Sequence, residues 1–282
     1  MKKYFSLVLF AHSVFALPFA IIGFFLAIHI TEHVLEWDKL LLMLLCMVFA
    51  RNAAMAFNRY LDRDVDALNA RTAGRDVPAG RVSPRQALFF TIANCLLFVL
   101  ATWLINPICF YLSPVALLVV LGYSYTKRFT PLCHFILGLG LGLAPVGAYL
   151  VVTGAFHIVP IFYGLAVLFW VSGFDIIYAL QDEEFDRQHG LKSIPVLLGT
   201  RGALRLSEIL HVLSAIFVML PLLYVDFGIF YWIGIVIYIS LLIYQHLIVS
   251  PTDLSRVDRA FMTTNGIASV IFAVFFLASL WF

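Results

Sequence analysis

Residues 40–66 read LLLMLLCMVFARNAAMAFNRYLDRDVD, an apolar run that carries a single arginine, Arg51, and then ends in Asn58, Asp62 and Asp66. The apolar part, 40–58, is close to the roughly 20 residues a helix needs to cross a bilayer. Asn58, Asp62 and Asp66 are spaced i, i+4, i+8, so a helix continuing past the run stacks them along one face. Like charges at that spacing repel each other, and the arrangement calls for a compensating cation. A membrane helix with a charged site at its end is therefore the unit from which the rest of the chain is read.

Eight further apolar runs share that length, at 4–30, 86–105, 108–125, 133–152, 158–180, 206–224, 227–248 and 260–281, which predicts an all-α membrane protein with nine transmembrane helices in a single domain, 1–282. The composition agrees: 63% of the 282 residues are hydrophobic and 12% are charged, with a mean hydropathy of +0.99. A soluble or disordered chain is excluded by these values. The pattern also lacks the alternation of a membrane barrel. Cys46, Cys95, Cys109 and Cys133 are too sparse for a disulfide framework and lack the spacing of zinc or haem sites, so they are expected to pack as apolar residues. The Lys2-Lys3 start followed by an apolar run is read as a first span and not as a cleaved signal, because the hydrophobicity runs unbroken to Ile30.

With the N-terminus in the cytoplasm, sixteen of the eighteen basic residues fall in cytoplasmic segments. Only Lys39, outside, and Arg51, within a span, do not. The opposite loops are short or acidic, which predicts a multi-pass protein of the inner (cytoplasmic) membrane with its charged ends facing the cytoplasm. Basic residues distributed in this way follow topology, and no nucleic-acid partner is expected.

A second acidic segment, Gln181-Asp182-Glu183-Glu184-Phe185-Asp186, closes the run at 158–180, and both Asp182 and Asp186 lie 120 residues after Asp62 and Asp66. The constant offset is consistent with an internal repeat. Four carboxylates from two helix ends form a hard oxygen site suited to Mg²⁺, which favours a few carboxylates together with substrate phosphates. Arg71 and Arg75 follow the first segment, Lys192 follows the second, and Lys127 and Arg128 lie between them on the same side, as a diphosphate site requires. Arg51 and Asp175 each stand seven residues, two helical turns, before Asn58 and Asp182. Intramembrane charges of this kind predict the walls of a polar cavity, with an Arg51–Asp175 ion pair as the structural alternative. Among the aromatic residues, Tyr123, Tyr125 and Tyr178 lie near the expected mouth.

The motifs Asn58-x-x-x-Asp62-x-x-x-Asp66 and Asp182-x-x-x-Asp186 resemble those of the UbiA superfamily of membrane prenyltransferases. Arg51 seven residues before Asn58, Arg71-Thr72 with Arg75, Tyr123 through Thr130, and Tyr178-Ala179 through Gly190 and Lys192-Ser193 are similar to further family stretches. The resemblance covers spans 2 to 6 and their cytoplasmic loops. Within the superfamily the chain looks most like 4-hydroxybenzoate polyprenyltransferases, while His12-Ser13-Val14-Phe15-Ala16-Leu17-Pro18-Phe19-Ala20 resembles a branch serving menaquinone synthesis with 1,4-dihydroxy-6-naphthoate as acceptor. It departs from the family in having Arg59 where Asp is frequent, and Arg75-Asp76-Val77-Pro78-Ala79-Gly80 for Arg-Pro-Leu-Pro-Ser-Gly.

The resemblance implies Mg²⁺-dependent transfer of a polyprenyl group from its diphosphate to an aromatic acid in ubiquinone or menaquinone synthesis. Asp62, Asp66, Asp182 and Asp186, assisted by Asn58, would hold the metal. Arg71, Arg75, Lys127, Arg128 and Lys192 would meet the leaving diphosphate, and Arg51, Asp175 and Tyr178 would line the substrate cavity. A haem- or chlorophyllide-type acceptor is the enzymatic alternative, and a multi-span transporter the alternative from another class.

Overall fold

In a computed structural model of the protein, which describes residues 15–282, the regular structure is helical. In a bilayer, helices satisfy their own backbone groups, and the apolar runs have no other way to do so. The elements are α1 (Leu17–Thr31), α2 (Trp37–Leu61), α3 (Arg63–Leu68), α4 (Pro84–Ile105), α5 (Pro107–Thr126), α6 (Cys133–Thr153), α7 (Ile158–Ala179), α8 (Glu183–Gln188), α9 (Ile194–Met219), α10 (Ile229–Ile248) and α11 (Asn265–Ser279). Short 3₁₀ turns at Leu180–Asp182 and Leu220–Leu223 and a π-helical turn at Arg259–Thr264 complete them.

Among the described residues, eight helical stretches are long and apolar enough to cross a membrane, and α1 is a shorter apolar helix. The nine spans expected are thus eight in length, because the first run, 4–30, begins in residues that lie outside those described. Lys2, Lys3, His12 and Ser13 fall in that same segment. The span expected at 206–224 also differs. Its helix begins at Ile194, capped by the Ser193 hydroxyl, and is interrupted at Gly199, whose φ of 65° leaves the helical region. Arg201 and Arg205 gave this first part the composition of a connector.

The chain groups into two compact units. In the first, residues 36–126, α2 packs against α4 and α5. The connection between α3 and α4 is tied down by Val77 and Val82, which bury themselves against Ala56 and Ala87. Its end is a capping box, with Ser83 Oγ accepting from the Gln86 amide and the Gln86 side chain accepting from the Ser83 amide.

The second unit holds α1 and residues 127–282, with α7 packed on α6 and α9, and α1 packed on α6 and α11. Along α7, Trp170, Phe174 and Ile177 are buried. Between α6 and α7 the backbones approach closely through small residues, the usual device for membrane helices that gain little from hydrophobic burial. A Cβ added to Gly142 would stand 2.6 Å from the Gly164 carbonyl oxygen. Gly142→Leu should therefore force the two helices apart and cost about 1–3 kcal/mol. The expected result is a clearly lower Tm of the detergent-solubilised protein; an unchanged Tm would show that the two backbones are free to separate.

Candidate functional site

In the first unit α2 ends at Leu61, and Asp62 (φ −89°, ψ 4°) joins it to the six-residue α3. The helix is broken there, yet its hydrogen-bond ladder is not. Asp62 N–H donates to Asn58 O at 2.9 Å, and Asp66 N–H to Asp62 O at 2.7 Å. The i, i+4, i+8 spacing thus survives the bend, and Asn58 Nδ2 donates to Asp62 Oδ2 at 2.8 Å.

Asp66 is 5% exposed. Its Oδ1 accepts from Arg75 Nη1 at 2.6 Å, while the buried Oδ2 has no hydrogen-bond partner among the described residues. The loop that delivers Arg75 is fixed by several polar contacts. Thr72 Oγ1 donates to Asp66 O at 3.1 Å, and Arg81 donates to Asp76 Oδ1 at 2.7 Å and to Gly74 O at 2.6 Å. Arg71 is exposed, with its amide bound to Asn69 Oδ1. Arg51 is half-buried within α2. Arg59, which the sequence reading left out of the site, is buried in the electrostatic field of Arg75, Asp66, Tyr123 and Asp62. Its signal in the sequence was its place between Asn58 and Asp62.

The second unit repeats the local design. After α7 and the turn Leu180–Asp182, Asp182 (φ −106°, ψ 3°) leads into α8, again six residues long. Asp182 is buried and Asp186 is fully buried. Lys127 Nζ stands 2.8 Å from Asp186 Oδ1 as an ion pair, and neither carboxylate oxygen has a hydrogen bond of good geometry. The Lys192 amide donates to Lys127 O at 2.8 Å and the Leu191 amide to Asp186 O at 2.9 Å, which fixes the following loop. The Lys192 side chain is exposed and Arg128 is half-buried. Tyr178, one turn before Asp182, stacks on Phe261 with ring centroids 4.1 Å apart.

Asp175 has a partner the sequence did not suggest. Its Oδ2 lies 2.7 Å from His134 Nδ1, so the acid is held within its own unit by a histidine from α6. Residues 41 apart, on separate helices, leave no periodic signal by which such a pair is found.

Among the described residues, both units therefore present a buried carboxylate with one ion pair, made through one oxygen. An unused carboxylate oxygen in a low-dielectric setting is costly unless a donor or cation completes it. An all-oxygen set of this kind fits Mg²⁺. Within each unit the described residues bring together no closed shell of three His, Cys, Asp or Glu side chains; Mg²⁺ in any case takes one or two carboxylates and fills the remaining positions with water and phosphate.

A family model described as the UbiA prenyltransferase family matches residues 16–280. A 4-hydroxybenzoate octaprenyltransferase of Tolumonas auensis is 32% identical over 244 residues, covering 85% of this chain and 84% of that protein. The apo structure of a UbiA homolog from Aeropyrum pernix K1 is similar with a TM-score of 0.85 and 32% identity, over 95% of this chain and 97% of that one. A UbiA homolog from Archaeoglobus fulgidus bound to GPP and Mg²⁺ is similar with a TM-score of 0.74 and 26% identity, over 99% of both chains.

Removing Arg75 should leave Asp66 buried without its cation, at a cost of about 3 kcal/mol. The Tm of Arg75→Ala should fall, and Mg²⁺ should raise it by more than it raises the wild-type Tm. Equal shifts in the two proteins would mean that no cation reaches Asp66.

Proposed function

Because the chain belongs to the UbiA prenyltransferase family, we propose that it transfers a polyprenyl group from its diphosphate to a ring carbon of an aromatic acid, with Mg²⁺ bound by Asp62, Asp66, Asp182 and Asp186 and assisted by Asn58. The observation that carries this reading is the matched pair of half-satisfied buried carboxylates, Asp66 beside Arg75 and Asp186 beside Lys127. Mg²⁺, when bound, neutralises the diphosphate and makes it a better leaving group.

The chain's own residues do the rest. Arg71, Arg75, Lys127, Arg128 and Lys192 stabilise the negative charge that develops as the carbon–oxygen bond breaks. The allylic cation so formed is attacked by the electron-rich ring, which then loses its proton. Burial among apolar helices keeps water from capturing the cation. Arg51, a permanent charge within a span, is suited to a carboxylate on the acceptor. The distribution of Lys and Arg supports an inner-membrane protein whose charged helix ends face the cytoplasm, where soluble diphosphates and acids are available.

For the acceptor, the names of the curated relatives favour 4-hydroxybenzoate and thus a ubiquinone-type pathway. The Phe15–Ala20 stretch favours the bicyclic dihydroxynaphthoate of a menaquinone route. An assay that offers both acids, a decarboxylated phenol and a porphyrin to the same solubilised protein with one prenyl diphosphate decides between them. The expected outcome is turnover of an acid with release of pyrophosphate, and poor use of the phenol. Asp62→Ala and Asp182→Ala should each lower kcat/KM about a thousandfold, a loss of about 4 kcal/mol of transition-state stabilisation. Near-normal activity in either folded variant removes that residue from the metal site; exclusive use of the porphyrin removes the aromatic-acid assignment.

A further inference from the structure

We propose that His134 is a positioning residue for the diphosphate-binding cations, coupling Asp175 to the segment that carries Lys127 and Lys192. The proposal rests on the function given above and adds a residue with no part in it.

His134 is 3% exposed, near the start of α6, and both of its ring nitrogens are used. Nδ1 lies 2.7 Å from Asp175 Oδ2, and Nε2 lies 3.3 Å from the amide nitrogen of Ile194, the first residue of α9. A backbone N–H can only donate, so Nε2 has to be the bare, accepting nitrogen and Nδ1 carries the hydrogen bound to Asp175. The hydrogen bonds therefore fix which ring nitrogen faces Asp175 and which faces Ile194. The Ser172 hydroxyl on α7 lies 3.2 Å from the His134 carbonyl oxygen and 2.7 Å from that of Leu168, and shares its single hydrogen between them.

What the ring holds is the chain leading out of the second acidic segment. That chain turns at Gly190, with φ 67°, and is pinned at three successive points. The Leu191 amide binds Asp186 O, the Lys192 amide binds Lys127 O, and the Ile194 amide binds His134. The neighbouring Cys133 thiol adds a weak contact with Lys192 O at 3.7 Å. Lys127 and Lys192 are thus on two stretches joined backbone to backbone, and Lys127 in turn meets Asp186 at 2.8 Å. Without His134, the Ile194 end of this arrangement has lost its anchor, and Ile194 is itself buried. Asp175 is the fixed end of the chain: a carboxylate within a transmembrane helix is costly, and here one of its oxygens is committed to orienting the imidazole.

Calorimetric titration of magnesium pyrophosphate into the solubilised full-length protein separates positioning from folding, because loss of folded protein lowers the apparent stoichiometry while mispositioned cations weaken Kd. For His134→Ala the expected result is a Kd weakened about tenfold or more, with unchanged stoichiometry and an unchanged KM for the aromatic acceptor. Asp175→Leu should weaken Kd similarly, and the double variant should bind no worse than the weaker single variant, as for residues acting through one another. Should His134→Ala not fold, His134→Gln carries the test in its place. A folded His134→Ala or Asp175→Leu that binds magnesium pyrophosphate as wild type does, or additive losses in the double variant, overturns the role of His134. Wild-type protein that binds no magnesium pyrophosphate overturns the proposed diphosphate site instead.

Discussion

A carboxylate buried at the end of a membrane-spanning helix has to be met by positive charge, and at Asp66 and Asp186 the described residues each form one ion pair. Arg75 and Lys127 each approach one oxygen, at 2.6 and 2.8 Å. Breaking such a pair strands a charge away from water, so the surrounding loops are constrained to keep the partner in place. Thr72, Asp76 and Arg81 do this for Arg75, and the bond from Lys192 to Lys127 does it in the other unit. A divalent cation carrying a diphosphate has the charge and the oxygen chemistry that suit the oxygens these ion pairs leave.

The two units reach this state by the same backbone route. Asp62 and Asp182 both sit near ψ 0°, between a transmembrane helix and a six-residue helix, in a region of backbone space that is sparsely populated and recurs at functional sites. The cation, however, arrives differently. Arg75 comes from the loop after its carboxylate, while Lys127 precedes its own by 59 residues. The likeness between the two units thus extends to the carboxylates and their helices, and the basic partners are particular to each.

Much of this is visible in the sequence because hydropathy and short-range spacing are local. The spans from 40 to 180 fall within a few residues of α2 and α4–α7, and the Asn58–Asp62 hydrogen bond follows from an i, i+4 interval. The bends at Asp62 and Asp182 are not visible, since a single residue leaving helical geometry changes no periodicity. Ile194–Arg205 reads as a connector because its arginines mask a helix interrupted at Gly199. Pairings between distant helices are hidden for the same reason: His134 with Asp175, and Tyr178 with Phe261 across the π-helical turn, depend on packing that no interval encodes. Asn265 stabilises that turn by donating to the carbonyls of Ala260 and Phe261, and only the folded chain shows why an asparagine stands in an apolar helix.

The proposed metal–diphosphate site is tested most directly by replacing Mg²⁺ with Mn²⁺, because the electron spin of Mn²⁺ couples to phosphorus nuclei in its coordination sphere. The solubilised protein with Mn²⁺ and pyrophosphate should show that coupling, and Asp66→Ala and Asp186→Ala should each weaken Mn²⁺ binding. Bound Mn²⁺ without phosphorus coupling, or unchanged affinity in either folded variant, would contradict it.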